Sequence, residues 1–195
     1  MNDTPPGDLT AVLVHGGFLG PWIWADVAQV LDGHQIRSVC VDLPSCQDTG
    51  ASLADLHDHA QAVRTALDRC GDVVLCGHSY AGMVISEAAA GPHPSIRHLV
   101  YLAAAIPDAG DSLTSLAEAT THGSSTPDEE PGGEDVEIRA DGRIMIRPES
   151  ARAGLFHDCT PDRATPCARG ECRSARRLVS YSGGVELPRL QVKPY

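Results

Sequence analysis

Apolar residues in this chain fall alternately into short unbroken runs and into stretches with helical spacing. Thr10–Ala11–Val12–Leu13–Val14 is a β-branched run that stops at His15–Gly16–Gly17, the pattern of a buried parallel strand closed by a glycine turn. Past Gly20–Pro21, residues 22–31 place Ile23, Val27, Val30 and Leu31 on one helical face. Residues 36–43 read as a second strand, closed by Pro44. Over residues 52–69, Leu53, Leu56, Ala60, Val63 and Leu67 recur at helical spacing, with Ser52 and Asp55 placed as a capping-box pair and Gly71 as a stop. Residues 72–76 predict a third strand, and Gly77–His78–Ser79–Tyr80–Ala81–Gly82 leads at once into a helix reaching Ala90. Residues 97–104 predict a fourth strand.

Almost uniformly apolar strands alternating with helices predict the α/β class, a parallel sheet covered by helices on both faces. The alternation ends after Pro107. Residues 120–135 are rich in Ser, Pro, Gly and acid and read as a mobile loop, residues 136–146 as a hairpin turning at Asp141–Gly142, and residues 148–156 as a short helix. This stretch stands where a cap or lid would follow the fourth strand. Charge marks a further boundary. Residues 1–164 carry 9 Arg and no Lys against 24 acids, whereas residues 165–195 carry 5 Arg and 1 Lys against 2 Glu. The expected organisation is therefore a core over 1–106, a cap-like region over 107–164, and a basic tail over 165–195.

The overall formal charge of −11 argues against a nucleic-acid partner, which needs a basic surface. No apolar run approaches the roughly 18–20 residues of a membrane span, and the polar N-terminus does not read as a secretory signal. The expectation is a soluble cytoplasmic protein with no membrane partner. The seven cysteines show no CxxC pair, and Cys40 and Cys76 lie inside strand-like runs, so they read as reduced, structural thiols.

The strand–GHSYAG–helix unit carries the strongest chemical signal. A serine on a tight turn between a buried strand and a helix lifts its Oγ above the sheet edge, and the helix turns its positive end toward the chemistry. Ser79 is the expected nucleophile. Ala81 stands where the usual G-x-S-x-G pattern has its second glycine, with Gly82 next. Acyl transfer also needs two converging amides for the developing oxyanion. Tyr80, after the nucleophile, is one expected donor; the turn after His15–Gly16 supplies the other, Gly17 or alternatively Phe18.

The segments AVLVHGGFLGPWIW, VDLP, VVLCGHSYAGMVISEAA and HLVYLAAAIPDAGDS together resemble the α/β-hydrolase superfamily, nearest to the plant methylesterase and hydroxynitrile-lyase group and its bacterial relatives. IRADGRIMIRPESARAGLFHDCTP resembles the cap of those bacterial relatives. The likeness runs from about Thr10 to Ala164. It implies a serine, acid and histidine triad in that chain order, with the histidine near the C-terminus. No histidine follows Pro166, and no further strands are legible there. Among the other histidines, His78 is expected to be a structural part of the motif, His15 to order the turn beside it, and His57 and His59 to face solvent from their helix. His157, in the cap-like region over the expected site, is the candidate substitute base, and Asp108, just after the fourth strand, is the candidate acid because the resemblance implies that some of these hydrolases place it there. The tail reads as the product of a truncated or frameshifted gene, or alternatively as that of a natural short variant whose tail folds differently, and loss of the last strands would leave an open sheet edge prone to self-association.

The expected function is carboxylesterase-like hydrolysis of small esters, without metal or organic cofactor. A catalytically silent fold remnant or ligand-binding protein is the alternative, favoured by the missing base. Trp22, Ile106, Leu155 and Phe156 are the apolar residues placed to meet a substrate.

Overall fold

The computed structural model describes residues 9–44, 54–113, 115–116, 136–138, 143–160 and 173–175. Strand β1 (Thr10–Val14) lies between β2 (Arg37–Val41) and β3 (Val73–His78), and β4 (Ile96–Leu102) flanks β3 on its far side. All neighbours are parallel, giving the order β2-β1-β3-β4. The register places Val12 beside Leu75 and Leu13 beside Cys76, so alternate residues of the apolar runs feed opposite faces. Val12, Val14, Val73 and Leu75 pack with helices α2 (Leu56–Leu67) and α3 (Ala81–Ala89). Ala11, Leu13 and Cys76 pack with Trp24, Ile23 and Leu31, from a 3-10 turn (Pro21–Trp24) and helix α1 (Ala25–Gly33). The predicted parallel sheet with helices on both faces is thus the observed architecture. At the β4 side, Val100 and Leu102 are exposed.

Two helices depart from their predicted phase. The stretch expected as one helix over 22–31 begins as a 3-10 turn led by Pro21 and becomes α-helical only at Ala25. Tighter winding over the first turn rotates the rest of the helix, so Trp24 becomes the buried anchor while Val27 and Val30 point to solvent. Helix α2 starts later than predicted. Its cap is Asp55, which accepts from the His57 and Asp58 amides while Asp58 accepts from the Asp55 amide. The reciprocal box is therefore Asp55–Asp58, one step on from the expected Ser52–Asp55 pair, and Ser52 lies outside the described residues.

Leu56, Ala60, Val63 and Leu67 are buried as the spacing requires, and His59 is fully buried among them. This corrects the expectation that both helix histidines face solvent. His57 does, bonding Glu87 of α3 at 2.9 Å from an exposed position. His59 falls three residues after Leu56 and four before Val63, on the apolar stripe itself.

The cap-like region contains the predicted hairpin, with β5 (Val136–Ile138) antiparallel to β6 (Arg143–Ile146). Its Asp141–Gly142 turn and the 120–135 loop lie outside the described residues. A third strand, β7 (Arg173–Ala175), pairs antiparallel with β6, so residues read as the basic tail join the cap sheet. Helix α4 (Pro148–Gly154) buries Ala151 against Phe18, Trp22, Ile146 and Phe156, and the Trp22 and Phe156 rings lie 6.0 Å apart. Cys76 is buried and Cys40 and Cys70 half-buried as free thiols, and burial raises the pKa of Cys40 and Cys76.

Burial first, and the neighbouring His15 second, push the His59 pKa from 6.5 down to about 4, against the opposite pull of Asp58 and Asp55. A depressed histidine binds fewer protons folded than unfolded, so its contribution to stability is present above pH 6.5 and is lost as pH falls through about 4. The full linkage is on the order of 3 kcal/mol. Urea unfolding of His59→Gln should show a shallower loss of stability between these pH values than the wild-type chain. Equal slopes would show that His59 is not held neutral in the folded state.

Candidate active site

Ser79 is the turn between β3 and α3, and its φ of 56° lies in the left-handed region. For a residue with a Cβ that conformation costs on the order of 1–3 kcal/mol, so the surroundings must enforce it. They do so through the backbone. The Ser79 carbonyl accepts from the Gly82 amide at 3.0 Å and from the Ala105 amide at 3.1 Å, and the Ser79 amide donates to the Leu102 carbonyl at 3.4 Å. Two of these three bonds come from the end of β4 and the loop after it, where Ala103 is also left-handed, at φ 43°. The side chain of Ser79 is exposed at the top of the sheet.

Close packing around the turn leaves no room for larger residues. A Cβ on Gly77 would meet the Ala81 carbonyl oxygen at 2.7 Å, and one on Gly82 would collide with the Ala105 carbonyl. Both obstacles are backbone and cannot swing away. Gly82, not Ala81, is therefore the small residue the β4 loop demands, while Ala81 is fully buried in the main core. Across the sheet, a Cβ on Gly16 would come within 2.9 Å of the Ser79 Cβ. The turn after β1 thus lies directly against the serine.

That turn is ordered by His15, which is fully buried. The Leu43 amide donates to its Nε2 at 3.2 Å, so Nδ1 carries the proton and donates to the Gly16 carbonyl at 2.9 Å. One side chain therefore ties the end of β1 to the chain leaving β2. Phe18 follows at φ 62°, another left-handed residue, which re-aims the backbone. Among the described residues no acceptor is bonded to the Gly17 amide. Tyr80 is the N-cap of α3, and its buried side chain meets His59, Oη to Nδ1, at 3.0 Å. The positive end of α3 faces the same side as Ser79.

His78 is half-buried, its ring edge-on to Trp24 at 6.4 Å, and burial, helped by His15, lowers its pKa. It belongs to the packing beneath the 3-10 turn. Asp108 is exposed in the loop after β4, its amide donating to Asp111 Oδ2 at 2.8 Å. His157 is exposed in the cap-like region, its Nδ1 3.1 Å from the Gly154 carbonyl oxygen. Ser79, Gly17 and Tyr80 thus gather at one end of the sheet. Among the described residues no hydrogen bond or ion pair joins Asp108 or His157 to Ser79 or to each other. Of the apolar residues expected to meet a substrate, Trp22 and Phe156 pack together, whereas Ile106 and Leu155 are exposed. Sequence reasoning missed His59. Its position in the apolar stripe of α2 was the available signal.

Known proteins resemble this chain in sequence and in fold. Over 110 residues the chain is 37% identical to a carbendazim hydrolyzing esterase of Nocardioides sp. strain SG-4G, a match covering 54% of this chain and 46% of that protein. It is 33% identical over 109 residues to polyneuridine aldehyde esterase of Rauvolfia serpentina, covering 53% of this chain and 41% of that one. The chain thus spans less than half the length of these relatives. Crystal structures of polyneuridine aldehyde esterase and of a pyrethroid hydrolase from Sphingobium faniae JZ-2 superpose with TM-scores of 0.72 and 0.71, each at 20% identity and over 91% of this chain, covering 74% and 72% of theirs. The model of the alpha/beta hydrolase family matches residues 11–194, running through the cap-like region and most of the segment read as tail. With the sheet order, the strand–turn–helix at Ser79 and a family match over nearly its whole length, this chain belongs to the alpha/beta hydrolase family.

Proposed function

We propose that this chain is a serine-nucleophile, esterase-like hydrolase acting on small esters. The observation that carries the reading is the left-handed, exposed Ser79, clamped by three backbone bonds and set against Gly16. A protein tolerates such a residue where the turn has work to do. In this reading the Ser79 oxygen attacks the ester carbonyl. The Gly17 and Tyr80 amides hold the oxyanion, each contributing about 2.7–4 kcal/mol of transition-state stabilisation. The alcohol departs, and water then releases the acid from the acyl-serine. His157 and Asp108 are the base and acid to test first. Phe18, Trp22 and Phe156 pack together from the turn after Gly16 into the cap-like region, and in this reading their apolar surface would favour uncharged esters. The names of the matched relatives, esterases acting on small molecules, point the same way.

One observation favours a second reading, a ligand-binding or catalytically silent member of the family. Among the described residues no hydrogen bond reaches the Ser79 hydroxyl from a histidine that could serve as base. Intact-mass analysis after fluorophosphonate treatment separates the two. A single adduct, absent in Ser79→Ala, is expected; a folded wild-type chain that takes none is the silent member. Hydrolysis of p-nitrophenyl acetate should fall at least about 1,000-fold in Ser79→Ala. His157→Ala should lose a similar factor, and unchanged turnover there would remove His157 as the base.

Gly16→Ala offers a separate check on geometry. Its methyl group would press on the Ser79 Cβ, and a displacement near 1 Å at a reacting centre costs about 100-fold. kcat should fall by that order while the thermal midpoint stays within a few degrees. Unchanged kcat would show that the turn after β1 does not abut the working serine.

A further inference from the structure

Helix α3 begins with a buried polar contact that the apolar core could have done without. His59, with its side chain fully buried in α2, meets Tyr80 Oη at 3.0 Å, and the two rings stack edge-on at 5.8 Å. A phenylalanine and a leucine of similar shape would fill the same space without two polar groups to satisfy. Burial holds His59 neutral, so at pH 7 it offers an uncharged imidazole to the phenol. Its own helix is a firm base, since Leu56, Ala60, Val63 and Leu67 anchor α2 in the main core.

We propose that His59 is a positioning residue for acyl transfer: by tethering the Tyr80 hydroxyl to α2, it fixes the direction of the Tyr80 backbone amide toward the oxyanion. The proposal rests on the serine-hydrolase reading. Tyr80 comes directly after a left-handed residue, and its ring is the part that reaches across to α2. Its hydroxyl is the far end of a lever whose near end is the Cα beside the amide. A second tether supports α3 on the other side, where Ser86 Oγ bonds the Gly82 carbonyl at 2.7 Å and lies 2.8 Å from Tyr101 Oη of β4. Side chains thus brace α3 against both neighbours, and of these two tethers it is the one from His59 that acts on the residue next to Ser79.

The test compares Tyr80→Phe, His59→Leu, His59→Asn and the double variant Tyr80→Phe/His59→Leu with the wild-type chain, at a temperature where circular dichroism shows all of them folded. Tyr80→Phe keeps the amide and removes only the hydroxyl, so it folds even if the His59 variants do not. Expected are a fall of about ten-fold in kcat for p-nitrophenyl acetate and in the rate of fluorophosphonate labelling, with KM within about two-fold. The double variant should be no slower than the slower single variant, and His59→Asn, which keeps a polar atom near the Nδ1 position, should recover part of the rate. Labelling of Tyr80→Phe at the wild-type rate, in a protein whose Ser79→Ala variant takes no label, overturns the positioning role alone. Failure of the wild-type chain to take label at Ser79 overturns the hydrolase reading and the positioning role with it.

Discussion

The left-handed backbone of Ser79 is the constraint on which the rest of the site depends. A residue with a Cβ enters that region only when its neighbours hold it there, and here the hold comes from β4 and the loop beyond it rather than from β3 or α3 alone. The loop must approach close enough for the Ala105 amide to reach the Ser79 carbonyl. That approach in turn requires the first turn of α3 to present a glycine, because the Ala105 carbonyl occupies the space a Cβ on Gly82 would need. The parallel pairing of β3 with β4, through His78 beside Leu102, brings the two chain segments to the same height. Sheet register, glycine placement and the strained serine are therefore one structural decision seen at three levels.

Around this point the interior changes character. Deeper in the sheet, contacts are apolar and non-directional, and Val12, Leu75 and Val63 can be packed in many ways at similar cost. At the end that carries Ser79, fully buried polar side chains take over: His15, His59 and Ser86. Each joins different stretches of backbone or neighbouring elements through a bond of defined length and direction. Burying them costs desolvation that aliphatic residues would avoid, and directional bonds supply orientation in exchange. A hydrolytic site needs atoms aimed to within a fraction of an ångström, so this end of the sheet is where such a trade is worthwhile.

Much of this was legible in the sequence because period and punctuation are local properties. The strand runs at Thr10 and Val73, the glycines around Ser79 and the stripe of α2 announce themselves without reference to distant residues. The parts that were not legible depended on winding or on partners far along the chain. The start of α1 required knowing that Pro21 opens a 3-10 turn, which shifts Val27 and Val30 to the surface. The α2 cap moved to Asp55 because the reciprocal bond with Asp58 forms there. Residue type alone sends His59 to solvent, although its spacing from Leu56 and Val63 places it in the core; its partner, Tyr80, lies 21 residues away and is visible only in three dimensions. Residues 173–175 look unlike the rest on charge, yet backbone pairing with β6 is indifferent to side-chain charge and draws them into the cap sheet.

One contact of the cap-like region with the core runs through residues that shape the site. Phe18 continues the turn that begins at Gly16, and its left-handed backbone turns its ring into the cluster with Trp22, Ala151, Ile146 and Phe156. Apolar contact of this kind is worth roughly 25 cal/mol per Å² buried, and Leu113 and Leu116 add contacts of the same region with the main core. Phe18 links its cluster to Gly16, two residues earlier, the glycine that abuts Ser79. On the β4 side the serine is fixed by backbone bonds to Leu102 and Ala105. The Ser79 turn is locked into the sheet by backbone bonds, while the turn through Gly17 is held by His15 on one side and packed through Phe18 against the aromatic cluster on the other.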